Sequence, residues 1–212
     1  MLAAARRKLR VALRAQRRAV PAADRRRAAV LVAKHADRTF HLRAGQRIAL
    51  YASLPEELDT APLIELARRR GCRIYLPRIQ RRSGRIRFVA MGDRQSFNHL
   101  GIAEPEGHEV IAARWLDLVF LPLVGFDSHG MRLGMGGGYY DRTFAFRRAR
   151  RVWRGPKLVG IAYELQRLPR IESAAHDVLL DAVITEKGCE AMNPLPDGVR
   201  DQRTPLNPGR SP

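Results

Sequence analysis

The sequence predicts an α/β fold, a three-layer α/β/α single domain in which helices cover both faces of a mainly parallel sheet. Three apolar segments have strand composition: RIALYASL (47–54), CRIYLP (72–77) and LDLVFLPLV (116–124). Segments with helical periodicity alternate with them along the chain, which favours βαβ units. With 212 residues, of which 45% are hydrophobic, the chain is long enough to bury a substantial core.

The first two elements are predicted to be helices. Residues 1–20 place apolar side chains on one stripe and arginines on the neighbouring stripe, as in an amphipathic helix. Pro21 ends this helix, and Asp24 is expected to cap a second helix that extends to about Asp37.

The first helix carries much of a strong positive charge. The formal net charge is +18, and residues 1–27 contain ten basic side chains against the single acid Asp24. Such a segment is compatible with a solvated charged face, a mitochondrial transit peptide or a phosphate-binding surface. The lack of serine before Ser53 argues against a transit peptide. A GC-rich genome would also produce an arginine bias, but with either origin the charge favours an anionic partner.

The middle of the chain predicts a βαβ unit followed by a hairpin. The segment APLIELARRR (61–70) is expected to be a helix, with Thr60 as its N-cap and Gly71 closing its end. The strand 72–77 then completes the unit. The hairpin that follows is expected to turn at Ser83-Gly84.

The stretch GFDSHGMRLGMGGGYYDR (125–142) is the most informative part of the sequence. It lies between an apolar strand and a segment expected to be helical to about Arg151. A glycine-rich bend between strand and helix lets several backbone N–H groups point at one anion, because residues without Cβ reach left-handed conformations. Arg132 adds a fork of donors beside this loop. The glycines concerned are Gly134, Gly136, Gly137 and Gly138.

The remaining features concern the redox environment, membrane association and the limits of the domain. Cys72 and Cys189 match neither a disulfide framework nor a metal-binding spacing, which favours a reducing cytoplasm. The longest apolar stretch, near 118–126, is far short of the ~20 residues that cross a bilayer. Segments 157–163 and 182–186 are expected to be further strands. The domain is expected to span 1–192, with a disordered tail over 193–212.

The pattern FD-x-x-G-x-RLG-x-G-x-GYYD resembles the sequence signature of the 5-formyltetrahydrofolate cyclo-ligase (5,10-methenyltetrahydrofolate synthetase) family. The resemblance extends through PEELDT (55–60), the basic first helix and HDVLLDAVITE (176–186), and covers roughly residues 6–187. It implies ATP- and Mg²⁺-dependent cyclisation of 5-formyltetrahydrofolate to 5,10-methenyltetrahydrofolate, with release of ADP and phosphate, through a phosphorylated formyl intermediate.

The resemblance also implies roles for individual residues. Nucleotide binding is expected from Arg6, Arg10, Arg132, Leu133, Gly134, Met135, Gly136, Gly137, Gly138, Tyr139 and Tyr140. Folate binding is expected from Glu57, Met135, Gly136, Gly137, Gly138 and Tyr139. Arg132 is expected to be catalytic, stabilising the transferring phosphoryl group. Asp141 and Asp177 are expected to bind Mg²⁺, with Asp181 as the second choice.

Two alternatives remain open at this point. Tyr139 and Tyr140 are equally compatible with packing against the core and with lining the site. The chain as a whole is also compatible with a catalytically silent relative that binds RNA through its basic surface. No RNA-recognition signature and no array of aromatic and basic residues supports that alternative. We therefore expect small-molecule partners only, namely a reduced folate and ATP, and a monomer without specific nucleic-acid or membrane binding.

The proposed tail provides a first prediction. Deletion of residues 194–212 is expected to leave the turnover number unchanged, because a proline- and glycine-rich polar segment contributes nothing to a packed core. Steady-state kinetics of the shortened and full-length chains measure this directly. A large loss of turnover in the shortened chain would show that the tail belongs to the working enzyme.

Overall fold

The computed structural model of the protein describes residues 2–80, 82–92, 95–97, 103–148 and 155–192. The tail expected over 193–212 lies outside the described residues. No helix in these described ranges is both long and apolar enough to span a membrane. The helices are α1 (Leu2–Arg18), α2 (Ala22–Phe40), α3 (Ala61–Arg69) and α4 (Tyr139–Thr143). The strands are β1 (Arg47–Ala49), β2 (Arg73–Gln80), β3 (Arg85–Ala90), β4 (Gln95–Phe97), β5 (Ala103–Pro105), β6 (Val110–Ile111), β7 (Leu118–Pro122), β8 (Gly125–Phe126), β9 (Arg132–Leu133), β10 (Lys157–Ile161), β11 (Ala182–Thr185) and β12 (Gly188–Ala191).

The central sheet has the order β12-β11-β10-β7-β1-β2-β3-β6. The five central strands run parallel to one another, namely β11, β10, β7, β1 and β2. The antiparallel strands β12, β3 and β6 lie at the two edges. The predicted mainly parallel sheet is therefore confirmed. The carboxyl ends of its parallel strands meet at one edge, where α/β folds of this kind place their ligands.

Both faces of the sheet are covered, but by different structures. Helices α2 and α3 pack their apolar side chains, such as Val32 and Leu63, against one face. The opposite face is covered by Phe144 and by residues of the segment before β11, such as Val178 and Leu180. The second layer is thus built from a short helix and irregular chain. It brings the segment 172–181 beside the loop that follows β9.

The helix after the glycine loop is much shorter than the predicted one. Helix α4 ends at Thr143 and is followed by a 3₁₀ turn, Ala145–Arg147. Phe144 is fully buried and packs against Phe88, with ring centroids 5.9 Å apart. Because this ring must enter the core, the chain turns onto the sheet at Phe144, and the prediction of a long helix was wrong.

A small hairpin, β8–β9, separates strand β7 from the glycine loop, where a direct strand-to-loop bend was expected. Asp127 organises it. Its buried carboxylate accepts hydrogen bonds from the backbone N–H groups of His129 at 2.9 Å, Met131 at 3.0 Å and Ile171 at 2.9 Å. Since a buried carboxylate destabilises the fold unless such donors surround it, these contacts fix the path of the chain into Arg132.

Several boundaries also differ from expectation. Pro21 lies between α1 and α2 and occupies the N-cap position of α2. Asp24, the predicted cap, lies in the first turn of that helix. Thr60 is at the N-cap of α3, but its hydroxyl donates to the carbonyl of Tyr51 at 2.7 Å. The N–H of Ala61 is instead bound by Asp59 at 2.9 Å. Strand β1 ends earlier than predicted, and β12 is an additional strand. The predicted hairpin turn at Ser83-Gly84 is confirmed.

The turn at Gly130 yields a prediction about stability. Gly130 has a φ of 82°, and a Cβ there would lie 2.7 Å from the carbonyl oxygen of Leu180. Gly45 has a similar φ of 77°, with nothing within 4 Å of the equivalent Cβ position. We expect Gly45→Ala to lose about 1–2 kcal/mol of unfolding free energy from backbone strain alone. Gly130→Ala should lose clearly more, since the clash with Leu180 adds to the strain.

Denaturant unfolding of the two variants measures this difference. Equal losses of unfolding free energy in Gly45→Ala and Gly130→Ala would show that the chain near Leu180 moves freely. That result would contradict the close packing of the segment 172–181 on the β8–β9 hairpin.

Candidate functional site

The glycine loop lies at the carboxyl edge of the sheet, directly after β9. Gly136 has a φ of 107° and Gly138 a φ of 62°, so these two positions require glycine. A Cβ on Gly137 would lie 2.4 Å from the ring of Tyr139, which makes a side chain impossible without movement of that ring. The loop is therefore a backbone surface from which side chains are largely absent.

Helix α1 brings a cation to this surface. The Nε of Arg10 donates to the carbonyl of Gly134 at 2.7 Å, and its guanidinium lies beside Gly136. Partial burial and the neighbouring charge of Arg6 both lower the pKa of Arg10. Two arginines separated by four residues on one helix thus concentrate positive charge next to the loop.

Arg132 is buried beneath the loop and is paired with a predicted metal ligand. Its side chain is 6% exposed, and Nη2 contacts Oδ1 of Asp141 at 2.7 Å. Arg132 also donates to the carbonyl of Val178, while the N–H of Val178 donates to Asp141 at 3.1 Å. These contacts join the loop, α4 and the segment before β11 in one network.

The second predicted metal ligand, Asp177, lies next to this network. Arg6 donates to Oδ2 of Asp177 at 2.7 Å and to the carbonyl of Glu172 at 2.5 Å. Burial alone would raise the pKa of Asp177, but the hydrogen bonds from Arg6 and from the N–H of Ala174 lower it below its usual range. The carboxylate is therefore ionised at neutral pH, and its charge is held at the same end of the sheet as that of Asp141.

Asp181, the second choice for metal binding, makes contacts that join separate segments of the fold. Its carboxylate accepts the N–H of Leu158 at 2.6 Å and contacts Arg147 at 2.7 Å. Across the described ranges, no group of three or more His, Cys, Asp and Glu residues is arranged to hold a metal ion.

Glu57 lies in the segment between β1 and α3 and is buried, although a loop glutamate is exposed by default. It is 7% exposed, and its Oε2 accepts the N–H of Leu54 at 3.0 Å. Burial raises the pKa of this carboxyl group. Burial and the charge of Glu57 also raise the pKa of Tyr140, whereas Arg132 acts in the opposite direction. Tyr140 therefore lies within electrostatic reach of both Glu57 and Arg132.

The two tyrosines differ in their contacts. Tyr140 stacks on Phe144, with ring centroids 6.4 Å apart and an angle of 8°, so its ring belongs to the core packing. Tyr139 lies under the guanidinium of Arg142, 5.4 Å from the ring centroid. Met135 is 46% exposed on the loop, whereas Leu133 is buried in the cluster beneath α1. The side chain of Leu133 thus supports the loop from below.

Sequence reasoning missed the contacts of two arginines at this edge. Arg142 donates to the carbonyl of Gly137 at 2.5 Å and to that of Gly84 at 2.7 Å, which ties the loop to the β2–β3 hairpin. Arg17, 1% exposed, contacts Glu56 at 3.0 Å. The signal for Arg17 was its place beside the apolar stripe of α1, four residues after Leu13.

Comparison with known proteins gives a consistent result. Residues 3–186 match the model of the 5-formyltetrahydrofolate cyclo-ligase family. The 5-formyltetrahydrofolate cyclo-ligase of Escherichia coli K12 is 38% identical over 145 residues, covering 65% of this chain and 76% of the relative. The mouse 5-formyltetrahydrofolate cyclo-ligase is 31% identical over 191 residues, covering 86% and 94%.

A solved structure agrees with these sequence relatives. The 5,10-methenyltetrahydrofolate synthetase of Aquifex aeolicus superposes with a TM-score of 0.75 at 26% identity, covering 94% of this chain and 95% of that one. The family match spans nearly all of the described residues, including the glycine loop, both aspartates and Glu57. The chain therefore belongs to the 5-formyltetrahydrofolate cyclo-ligase family.

Proposed function

We propose that this protein converts 5-formyltetrahydrofolate and ATP to 5,10-methenyltetrahydrofolate, ADP and phosphate in a Mg²⁺-dependent reaction. One observation carries the proposal: three arginines from two distant parts of the chain converge on the glycine loop, each in contact with the loop backbone or with an acidic side chain beside it. These residues are Arg6, Arg10 and Arg132. Family membership supports the folate substrate.

The loop and its arginines suit the phosphates of a nucleotide. Backbone N–H groups of residues 134–138 are accessible because the glycines carry no side chains, and Arg10 already lies against this surface. Phosphoryl transfer requires mainly positioning and neutralisation of charge on the transferring group. Arg132 would supply the neutralising charge, since it is buried and held in a single orientation by Asp141 and Val178.

Asp141 and Asp177 fit a magnesium ion in ligand chemistry. Mg²⁺ prefers carboxylate, phosphate and water oxygens, and one or two protein carboxylates are enough. Both side chains are oriented by backbone N–H donors, from Val178 to Asp141 and from Ala174 to Asp177. When bound, the ion would neutralise charge on the nucleotide phosphates.

Glu57 suits the folate. An ionised carboxylate accepts two parallel hydrogen bonds from the N–H and amino groups of a pterin-like ring. One oxygen of Glu57 is held by the N–H of Leu54, which fixes its orientation. The side chain is buried, so a hydrogen bond from the pterin to its other oxygen would be shielded from water.

The chemistry requires a better leaving group than a formamide oxygen. The formyl oxygen attacks the γ-phosphoryl group of ATP, and the bond between that phosphorus and the ADP oxygen breaks. The N10 amine of the same folate then attacks the formyl carbon, loses its proton to solvent and closes the five-membered ring. The carbon–oxygen bond breaks and phosphate departs. Because ring closure is intramolecular, holding the substrate in a reactive conformation supplies much of this step.

The site arginine provides the test of the proposed function. Wild-type protein is expected to form the methenyl product, followed by its near-ultraviolet absorbance, only when ATP and Mg²⁺ are both present. Arg132→Ala should reduce kcat/KM by about 100-fold or more, because the transferring phosphoryl group loses its main neutralising charge. Asp141→Asn should show a similar loss with a raised requirement for Mg²⁺.

Matched controls separate this effect from general instability. Arg70→Ala removes an arginine from another close ion pair, with Asp37 at 2.6 Å, on the α2–α3 surface, and should retain full activity. Arg132→Lys keeps the charge without the guanidinium geometry and guards against misfolding of the alanine variant. Absence of the methenyl product from folded wild-type protein would refute the proposed function.

Glu57 generates a prediction of pH dependence. The ionised carboxylate binds the pterin, so folate binds with full affinity at pH values above the pKa of Glu57 in the folded protein. The affinity is lost as the pH falls through that pKa. Because burial raises this pKa, the loss begins at a higher pH than an exposed glutamate would produce. Glu57→Gln should bind 5-formyltetrahydrofolate about tenfold more weakly at neutral pH, with a shallower pH dependence.

Equilibrium titration of folate binding between neutral pH and pH 5 tests this prediction. Glu65→Gln, which changes an exposed glutamate on α3, should follow the wild-type curve. Parallel curves for wild type and Glu57→Gln would mean that Glu57 does not contact the folate through its charge.

A further inference from the structure

Glu56, the residue before Glu57, is the centre of a cluster of basic side chains from α1. Its carboxylate contacts Arg14 Nε at 2.7 Å, Arg17 Nη2 at 3.0 Å and Arg18 Nε at 2.7 Å. The Glu56 side chain is only 13% exposed. One carboxylate thus binds three guanidinium groups from the last two turns of a single helix. Glu56 takes no part in the proposed chemistry.

The charge of Glu56 is strongly held. Burial alone would raise the pKa of this carboxyl group, but hydrogen bonds from Arg14 and Arg18 lower it to about 2. It is therefore ionised throughout the physiological range. Without this charge, three arginines would face one another at close range, and Arg17 would lack its carboxylate partner while almost completely buried. This carboxylate therefore contributes to the attachment of the C-terminal half of α1.

Further contacts fix the same end of α1. Arg17 also donates to the carbonyl of Leu123, just beyond β7, at 3.3 Å. Arg25 donates to the carbonyl of Arg17 at 2.9 Å and to the carbonyl of Pro55. Pro55 directly precedes Glu56, so α1, the start of α2 and the segment after β1 form one unit.

The opposite half of α1 carries the arginines of the nucleotide site. Arg10 precedes Arg17 by seven residues, about 10 Å along the helix axis. Because an α-helix of this length moves as a rod, the position of its anchored end determines where Arg10 meets Gly134 and where Arg6 meets Asp177. A displacement at Glu56 is therefore transmitted to the loop.

Glu56 and Glu57 act on different sites from adjacent positions. Glu56 binds α1, whereas the carboxylate of Glu57 is buried and accepts the N–H of Leu54. Movement of the backbone at Glu57, when a ligand engages its carboxylate, must also move Glu56. The sequence thus places a folate-binding group and the anchor of the nucleotide-binding helix on one dipeptide.

We propose that Glu56 is a positioning residue that couples the folate and nucleotide sites through helix α1. The inference rests on the proposed function and goes beyond it, since it assigns a cooperative role to a residue outside both sites. Folate bound at Glu57 tightens nucleotide binding by fixing Arg6 and Arg10 over the loop. Because such coupling is reciprocal, the nucleotide tightens folate binding by the same factor.

The test is a binding cycle without turnover. The affinity of a non-hydrolysable ATP analogue with Mg²⁺ is measured by calorimetry, with and without saturating 5-formyltetrahydrofolate. Wild-type protein should bind the analogue at least about fivefold more tightly in the presence of folate. Glu56→Gln should reduce this ratio to about one, while its affinity for folate alone changes little. Glu56→Asp, which keeps the charge but shortens the reach, should give an intermediate ratio.

A control variant and a hydrogen-exchange measurement accompany the binding cycle. Glu65→Gln removes the carboxylate from an exposed ion pair on α3 and should leave the ratio at its wild-type value. Hydrogen exchange of amides in the N-terminal half of α1 should accelerate in Glu56→Gln, and folate should slow it in wild type only. A wild-type ratio of one, or an unchanged ratio in both Glu56 variants, would overturn the coupling while turnover by the wild type still supported the proposed function. Absence of turnover by the wild type would overturn both.

Discussion

Arg17 is 1% exposed, and a guanidinium group removed from water destabilises a fold unless a carboxylate contacts it. Glu56 supplies that carboxylate and so joins α1 to the carboxyl edge of the sheet. The same requirement recurs around the glycine loop, where each shielded charge joins two separate segments of the chain. The pairs are Arg6–Asp177, Arg17–Glu56 and Arg132–Asp141. These contacts, together with the core beneath α1, determine the shape of the candidate site.

The pairing also explains how a strongly basic chain holds the arginines of the candidate site in place. Charges suited to phosphate are balanced by carboxylates within the same site, so Arg132 and Arg6 have fixed orientations with little net repulsion. In the proposed reaction the phosphates and Mg²⁺ would engage groups that are already oriented, which limits the reorganisation that the chemistry requires.

Much of the fold could be predicted from the sequence, because strand composition and helical periodicity are local properties. The mainly parallel sheet and the turn at Ser83-Gly84 are of this kind. Contacts between distant segments left no local signal. Sequence alone did not indicate that Asp127 would organise a hairpin, that Phe144 would end α4, or that Glu56 would bind three arginines. The roles of the individual site residues came from the family resemblance, and they remain proposals.

Transfer of oxygen is the most direct measure of the proposed chemistry. The substrate would be labelled with ¹⁸O in its formyl group and incubated with the protein, ATP and Mg²⁺, and the released phosphate would be examined by ³¹P NMR. One ¹⁸O atom is expected in each phosphate formed with the methenyl product, because the formyl oxygen attacks the γ-phosphoryl group and leaves with it. Unlabelled phosphate accompanying the same product would show that the formyl oxygen is not phosphorylated, and would rule out the proposed chemistry.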